Sequence, residues 1–309
     1  MIPVGWPGAG SPAWVALAIG TLFLADRAPA QSFSLASEKK AYLLGEPVYL
    51  RIESSEAALP PALEEGAVVL AVSGPDGVWD YRPPLQLRSR PDPRKAPGGS
   101  GPDPLASRIR YARLIAREGG LVFHTPGRYQ VRLCEPMPGH AALSPALEFR
   151  VRAPTSPADK RAFALISRNP GEFALAVYLE GGGQLREGMA ILQELSTFPN
   201  AYRSLAAFVL SSDWSQEYRD FRSGTVRAPD LEKALAFAQL RPEQGYIALK
   251  NAYRLNQALD QASQPPGSAG TTPGAEKIRQ RLGRFFAALS PAAWAGYRSL
   301  EAPRTPFPD

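Results

Sequence analysis

Between Ser32 and Arg152 the apolar residues recur at every second position. Val48, Leu50 and Ile52 alternate with Tyr49, Arg51 and Glu53. Trp79, Tyr81, Leu85 and Leu87 share one parity, as do Tyr129, Val131 and Leu133, and Leu147, Phe149 and Val151 alternate with Glu148 and Arg150. Side chains of an extended chain point alternately to opposite faces, so each run predicts an antiparallel strand with one face on a core. Turn chemistry separates the runs: Gly45-Glu46-Pro47, Gly74-Pro75-Asp76-Gly77, Glu118-Gly119-Gly120 and Thr125-Pro126-Gly127. Short strands this closely punctuated predict a β-sandwich over residues 31–153.

After Ala153-Pro154-Thr155-Ser156-Pro157, a linker by composition, the period lengthens to that of a helix. Leu185, Met189, Leu192 and Leu195 recur at helical spacing, followed by Tyr202, Leu205 and Val209, by Trp214, Tyr218 and Phe221, and by Leu231, Leu235 and Ala238. Ala248, Ala252, Leu255 and Leu259 continue the pattern, as do Ile278, Leu282, Phe285 and Leu289. Asn200 and Asp230 stand where N-caps are expected. An all-α, helical-hairpin domain over 157–301 follows, interrupted at 261–274 by QASQPPGSAGTTPG, a linker rich in Pro, Gly and Ser. A basic stretch rich in Pro and Gly, 88–104, is expected as a surface loop, with Arg108, Arg110 and Arg113 beyond it.

SEKKAYLLGEPVYLRIES resembles the early strands of bacterial Ig-like and macroglobulin-type sandwich domains, and FHTPGRYQVRL (Phe123 to Leu133) is similar to their late strand. Gly127-x-Tyr129 fits the tyrosine corner, whose hydroxyl bonds back to nearby backbone. The resemblance spans about 33–152 and implies a fold, not a function. LREGMAILQELSTFPNAYRSLAAFVLSS and DLEKALAFAQLRPEQGYIALKNAYRLNQAL look like tetratricopeptide-type helix pairs, although no motif repeats at a period of about 34 residues.

The N-terminal thirty residues add a location. Ala13 to Ala25 is an uncharged apolar run, shorter than the ~20 residues of a membrane span, and Ala28-Pro29-Ala30 after it fits a signal-peptidase site. Cleavage there leaves Gln31 as the mature N-terminus; retention as an anchor is the alternative. The expected location is exported, periplasmic or extracellular, with the membrane touched only through that transient segment. The net charge of +6 divides evenly between the two halves, and Arg outnumbers Lys 28 to 7. An even spread of this size argues against a dedicated nucleic-acid binder. Cys134 is the single cysteine, so no intramolecular disulfide forms. Its parity, opposite to that of Leu133, places the thiol outward and open to an intermolecular disulfide, unless alternation fails at the strand end and the thiol is buried.

Chemistry-bearing patterns are few. His124 and His140 lack companion ligands at metal-binding spacing. Gly181-Gly182-Gly183 lacks the Lys-Ser/Thr ending of a phosphate loop and reads as a hinge between two helices. Asp213, Glu217 and Asp220, at i, i+4 and i+7, would share one face of a continuous helix. Such a face suits Ca²⁺ binding or glycosidic cleavage; the plainer account is a solvated face beside Trp214, Tyr218 and Phe221. The resulting expectation is a non-enzymatic binding or scaffolding protein of the bacterial envelope, with no metal and no cofactor, whose helical groove takes a protein or peptide. The rivals are a carboxylate-dependent hydrolase of cell-wall or polysaccharide material, and a carbohydrate-binding module using Trp79 and Tyr81.

Overall fold

The computed structural model describes residues 33–55, 69–81, 109–134, 142–220, 223–241, 245–262 and 274–301. The processing residues Ala28, Ala30 and Gln31, His140, the basic loop 88–104 and most of the 261–274 linker lie outside them. Sheets occupy the N-terminal half and eight helices the C-terminal half of the described chain.

Strands β1 (Phe33–Ser37), β3 (Val48–Ser54) and β6 (Ile109–Leu114) form one sheet in the order β1-β3-β6. The other sheet, ordered β2-β10-β9-β4-β5, contains β2 (Ala41–Leu43), β4 (Val69–Gly74), β5 (Gly77–Tyr81), β9 (Gly127–Cys134) and β10 (Leu147–Arg152). Residues placed inward by alternation meet in one core between the sheets: Val48, Leu50 and Ile52 from the first, with Val72, Trp79, Tyr81, Tyr129, Val131 and Phe149 from the second. Pairing is antiparallel except for β2 beside β10, which is parallel and so departs from the all-antiparallel expectation. The Tyr129 hydroxyl donates to the Thr125 carbonyl at 2.7 Å and to Asp76 Oδ2 at 2.5 Å. Gly127 is required beside it, because a Cβ there would overlap Pro75. The short strands β7 (Ala116–Arg117) and β8 (Gly120–Leu121) pair with each other.

Helices α1 (Pro157–Ile166), α2 (Pro170–Leu179), α3 (Arg186–Ser196) and α4 (Arg203–Trp214) follow. Ser156 and Asn169 cap the first two through Asp159 N and Glu172 N, each with Pro as the first helical residue. The expected N-cap Asn200 instead braces the preceding turn: its amide donates to the carbonyls of Leu195 and Phe198, and its Oδ1 accepts from Tyr202 N. A two-stranded ribbon, β11 (Tyr218–Arg219) and β12 (Val226–Arg227), interrupts the helices. It is followed by α5 (Leu231–Phe237), α6 (Gly245–Ala262), α7 (Ala275–Ala287) and α8 (Pro291–Glu301). Asp230 caps α5 as expected, accepting from Lys233 N. No helix among the described residues is long and apolar enough to cross a membrane.

The described residues, Phe33 to Glu301, belong to one compact unit. The helices pack on β6, β7 and β8, and Ile115, Ala116 and Leu121 belong to the same core as α1 to α4. Tyr49 illustrates the consequence. Alternation assigns it to solvent, yet it is 4% exposed, because its ring stacks on Tyr246 of α6 at 4.7 Å. Tyr202, fully buried, donates its hydroxyl to the Leu44 carbonyl at 2.6 Å. Glu38, between β1 and β2, accepts from Tyr246 N and so caps the start of α6.

Candidate binding cleft

The connector Glu180-Gly181-Gly182-Gly183 ties two sites together. Glu180 terminates α2 in the left-handed region, φ 59°. Its carboxylate is 3% exposed and receives three cations: Arg113 from β6 at 2.8 Å, and Arg254 at 2.7 Å and Lys250 at 3.6 Å from α6. Arg254 binds through both Nε and Nη2. Burial pushes the Glu180 carboxyl upward, but Lys250, Arg254 and Arg113 outweigh it and hold it well below the usual carboxylate range. Arg113 was expected on a solvated basic surface. It is instead drawn into the seam between sheet and helices, where it also donates to the Tyr178 carbonyl.

On the far side of the connector lies Asp213, in the last turn of α4. Its Oδ1 accepts from Gly182 N at 3.0 Å, and its Oδ2 pairs with Arg227 of β12 at 2.8 Å. Gly181 and Gly182 hold φ values of 135° and 123°, a region closed to most other residues. A Cβ on Gly181 would stand 2.7 Å from Asp213 Oδ1, and one on Gly183 would stand 2.8 Å from the Tyr218 ring. The triple glycine is therefore a close-packed connector rather than the expected hinge, and backbone approach to Asp213 is the reason for its composition.

This packing shapes a cleft of about 250 Å³ between α3, α4 and the ribbon. Met189, Ala190, Leu210 and Trp214 supply its apolar lining, with Arg186, Gln193, Asp213 and Arg227 as the polar part. The Arg227 guanidinium lies 4.1 Å from the Trp214 ring centre and the Lys233 ammonium 4.2 Å from it, so the indole is fixed by two cation–π contacts. The volume is below the ~300–1,000 Å³ of typical small-molecule pockets. It is about the size of one or two amino-acid side chains.

The expected acidic face does not form. Helix α4 ends at Trp214, and the two other acids leave on different backbone. Glu217 is exposed and pairs with Arg219 at 2.7 Å, while Asp220 accepts from Ser223 Oγ at 2.8 Å in the ribbon turn. Of the three, only Asp213 borders the cleft. Among the described residues no three His, Cys, Asp or Glu gather as a metal set. His124 is exposed, and its backbone N–H donates to Asp76 Oδ2. Cys134 is buried opposite Val69 at the end of β9, and burial pushes its thiol pKa up, so the buried alternative describes it. Trp79 and Tyr81 are buried in the inter-sheet core and are not exposed platforms for a sugar.

Glu180, Lys250 and Arg254 carried no sequence signal of their own. The i, i+4 spacing of Lys250 and Arg254 puts them on one helix face, but the acid they share lies about seventy positions away. Compared with protein-family models, curated proteins and solved structures, the chain matches none of them.

Proposed function

We propose that this chain is an exported binding or scaffolding protein of the bacterial cell envelope, and that the α3–α4 cleft takes side chains of a protein or peptide partner. In finer terms the β half is an Ig-like sandwich and the helical half an irregular tetratricopeptide-like array. Two sheets around one core and the Tyr129-to-Thr125 hydrogen bond support the first part. Consecutive helix pairs such as α3 with α4 support the second.

The observation that carries the functional reading is the cleft itself: an apolar lining, arginines beside it and a tryptophan held rigid by its neighbours. Rigid aromatic anchors and arginine are the residue types that dominate binding energy at protein interfaces. Glu217 and Asp220 are engaged elsewhere and Asp213 is held by Arg227 and Gly182, which favours the binding reading over the hydrolase alternative.

Ala190 is exposed in the lining, so Ala190→Trp fills the cleft without entering the core. Purified from its native envelope, the wild-type chain is expected to retain a stoichiometric partner that Ala190→Trp loses at unchanged thermal stability. A partner kept by Ala190→Trp, or none retained by the wild type, overturns the reading.

A further inference from the structure

The outer face of the five-stranded sheet carries a charge pattern that the cleft does not use. Arg128 and Arg132 on β9, and Arg150 and Arg152 on β10, all point outward and are exposed. Arg128 stands directly opposite Arg150 in the ladder, and Arg152 follows on the same face about 7 Å further along the strand. Like charges directly opposite each other destabilise a sheet.

Elsewhere in the β half the arginines find acids: Arg51 pairs with Glu53, Arg113 with Glu180 and Arg117 with Glu118. No carboxylate among the described residues pairs with Arg128, Arg132, Arg150 or Arg152. Glu148, two positions before Arg150 on the same face, accepts from Gln130 Nε2 at 2.6 Å and keeps its charge. Four arginines thus face two acids, Glu148 and Asp80, among the described residues of this side of the sheet, which leaves it with an excess of positive charge concentrated at Arg128, Arg150 and Arg152.

We propose that this face binds a linear acidic polysaccharide, whose carboxylates bridge Arg128, Arg150 and Arg152. The guanidinium fork matches a carboxylate in two parallel hydrogen bonds, and adjacent forks on a pleated surface match acids repeated along an extended chain. Ser73, next to Gln130 in the ladder, adds a hydroxyl partner for sugar on the same face. Single-stranded nucleic acid fits less well, because the outward positions of β4, β9 and β10 hold no aromatic ring for bases to stack on. A membrane fits less well too: the outward positions of the neighbouring edge strand β5 are Val78 and Asp80, and only Val78 is apolar. This surface is separate from the cleft and does not rest on it.

The test uses the purified full chain, alginate as the linear polyuronate probe, and low ionic strength, where exposed charges are least screened. The triple variant Arg128→Gln, Arg150→Gln, Arg152→Gln is compared with Arg203→Gln, Arg241→Gln, Arg284→Gln, which removes the same charge from exposed helical-half positions. The sheet variant is expected to bind alginate at least tenfold more weakly, and the helical variant within about threefold of wild type. The melting temperature of the sheet variant should stay level or rise as repulsion is relieved; if it falls, the single Arg150→Gln variant serves, with a loss of at least threefold expected. Equal losses in the two triple variants, no alginate binding by the wild type, preference for phosphatidylglycerol vesicles, or displacement of alginate by a single-stranded oligonucleotide would each overturn the proposal.

Discussion

Replacing Glu180 by Gln removes the single negative charge from a group of three cations while keeping its shape. Burial of the carboxylate is nearly complete, and removing one partner of a buried ion pair costs about 3–5 kcal/mol. Arg113 and Arg254 keep 23% and 24% of their side chains exposed, so water relieves part of the uncompensated repulsion. The lower end, about 3 kcal/mol, is therefore expected, which at about 2–4 °C per kcal/mol lowers Tm by about 6–12 °C. Lys250→Met, added to Glu180→Gln, should recover about 1 kcal/mol or more, because it removes one of the repelling charges. The same carboxylate sets a pH signature. Its folded-state pKa lies below its unfolded value of 4.5, so its contribution is full above that value and is lost progressively as pH falls from there through the folded-state pKa. The gap between wild type and Glu180→Gln should be constant from pH 7 to about 5.5 and shrink steadily below 4.5. Urea denaturation at four or five pH values measures all of this. A gap below 1 kcal/mol at neutral pH, or one that widens in acid, refutes the reasoning.

Tyr129→Phe removes the hydroxyl that bonds the Thr125 carbonyl and Asp76, while Asp76 keeps the His124 backbone N–H, and should cost about 1–3 kcal/mol by chemical denaturation. Gly181→Ala forces a Cβ against Asp213 at a φ of 135° and should lower Tm by several degrees in a thermal scan, whereas Gly77→Ala, whose added Cβ meets nothing, suffers only the backbone term. The Cys134 thiol, buried and raised in pKa, should react with a thiol reagent only at the rate of unfolding; rapid labelling of the native chain would contradict its placement.

Periodicity disclosed most of the strands and helices, because a half-buried element writes its core face directly into the sequence. Val48, Leu50 and Ile52, or Ile278, Leu282 and Phe285, needed nothing beyond their spacing. It misplaced residues whose second face is covered by a distant segment: Tyr49 and Arg113 alternate as solvent-facing yet are enclosed by α6 and the end of α2. Period alone also could not show that α4 stops at Trp214, since Trp214, Tyr218 and Phe221 keep helical spacing while the chain turns into a ribbon. That stop dissolves the acidic face and frees Asp213 to brace the triple glycine. The cleft was illegible for the same reason: its lining comes from α3, α4 and β12, and only folding brings them together.

Site-specific photo-crosslinking in the living cell tests the binding role of the cleft most directly. A benzophenone side chain at Gln193, on the cleft wall, is compared with one at Arg284, exposed on α7. The account predicts one discrete adduct from Gln193, none from Arg284, and loss of the Gln193 adduct when Ala190→Trp is added. No adduct at Gln193, or the same adducts from both positions, would contradict it.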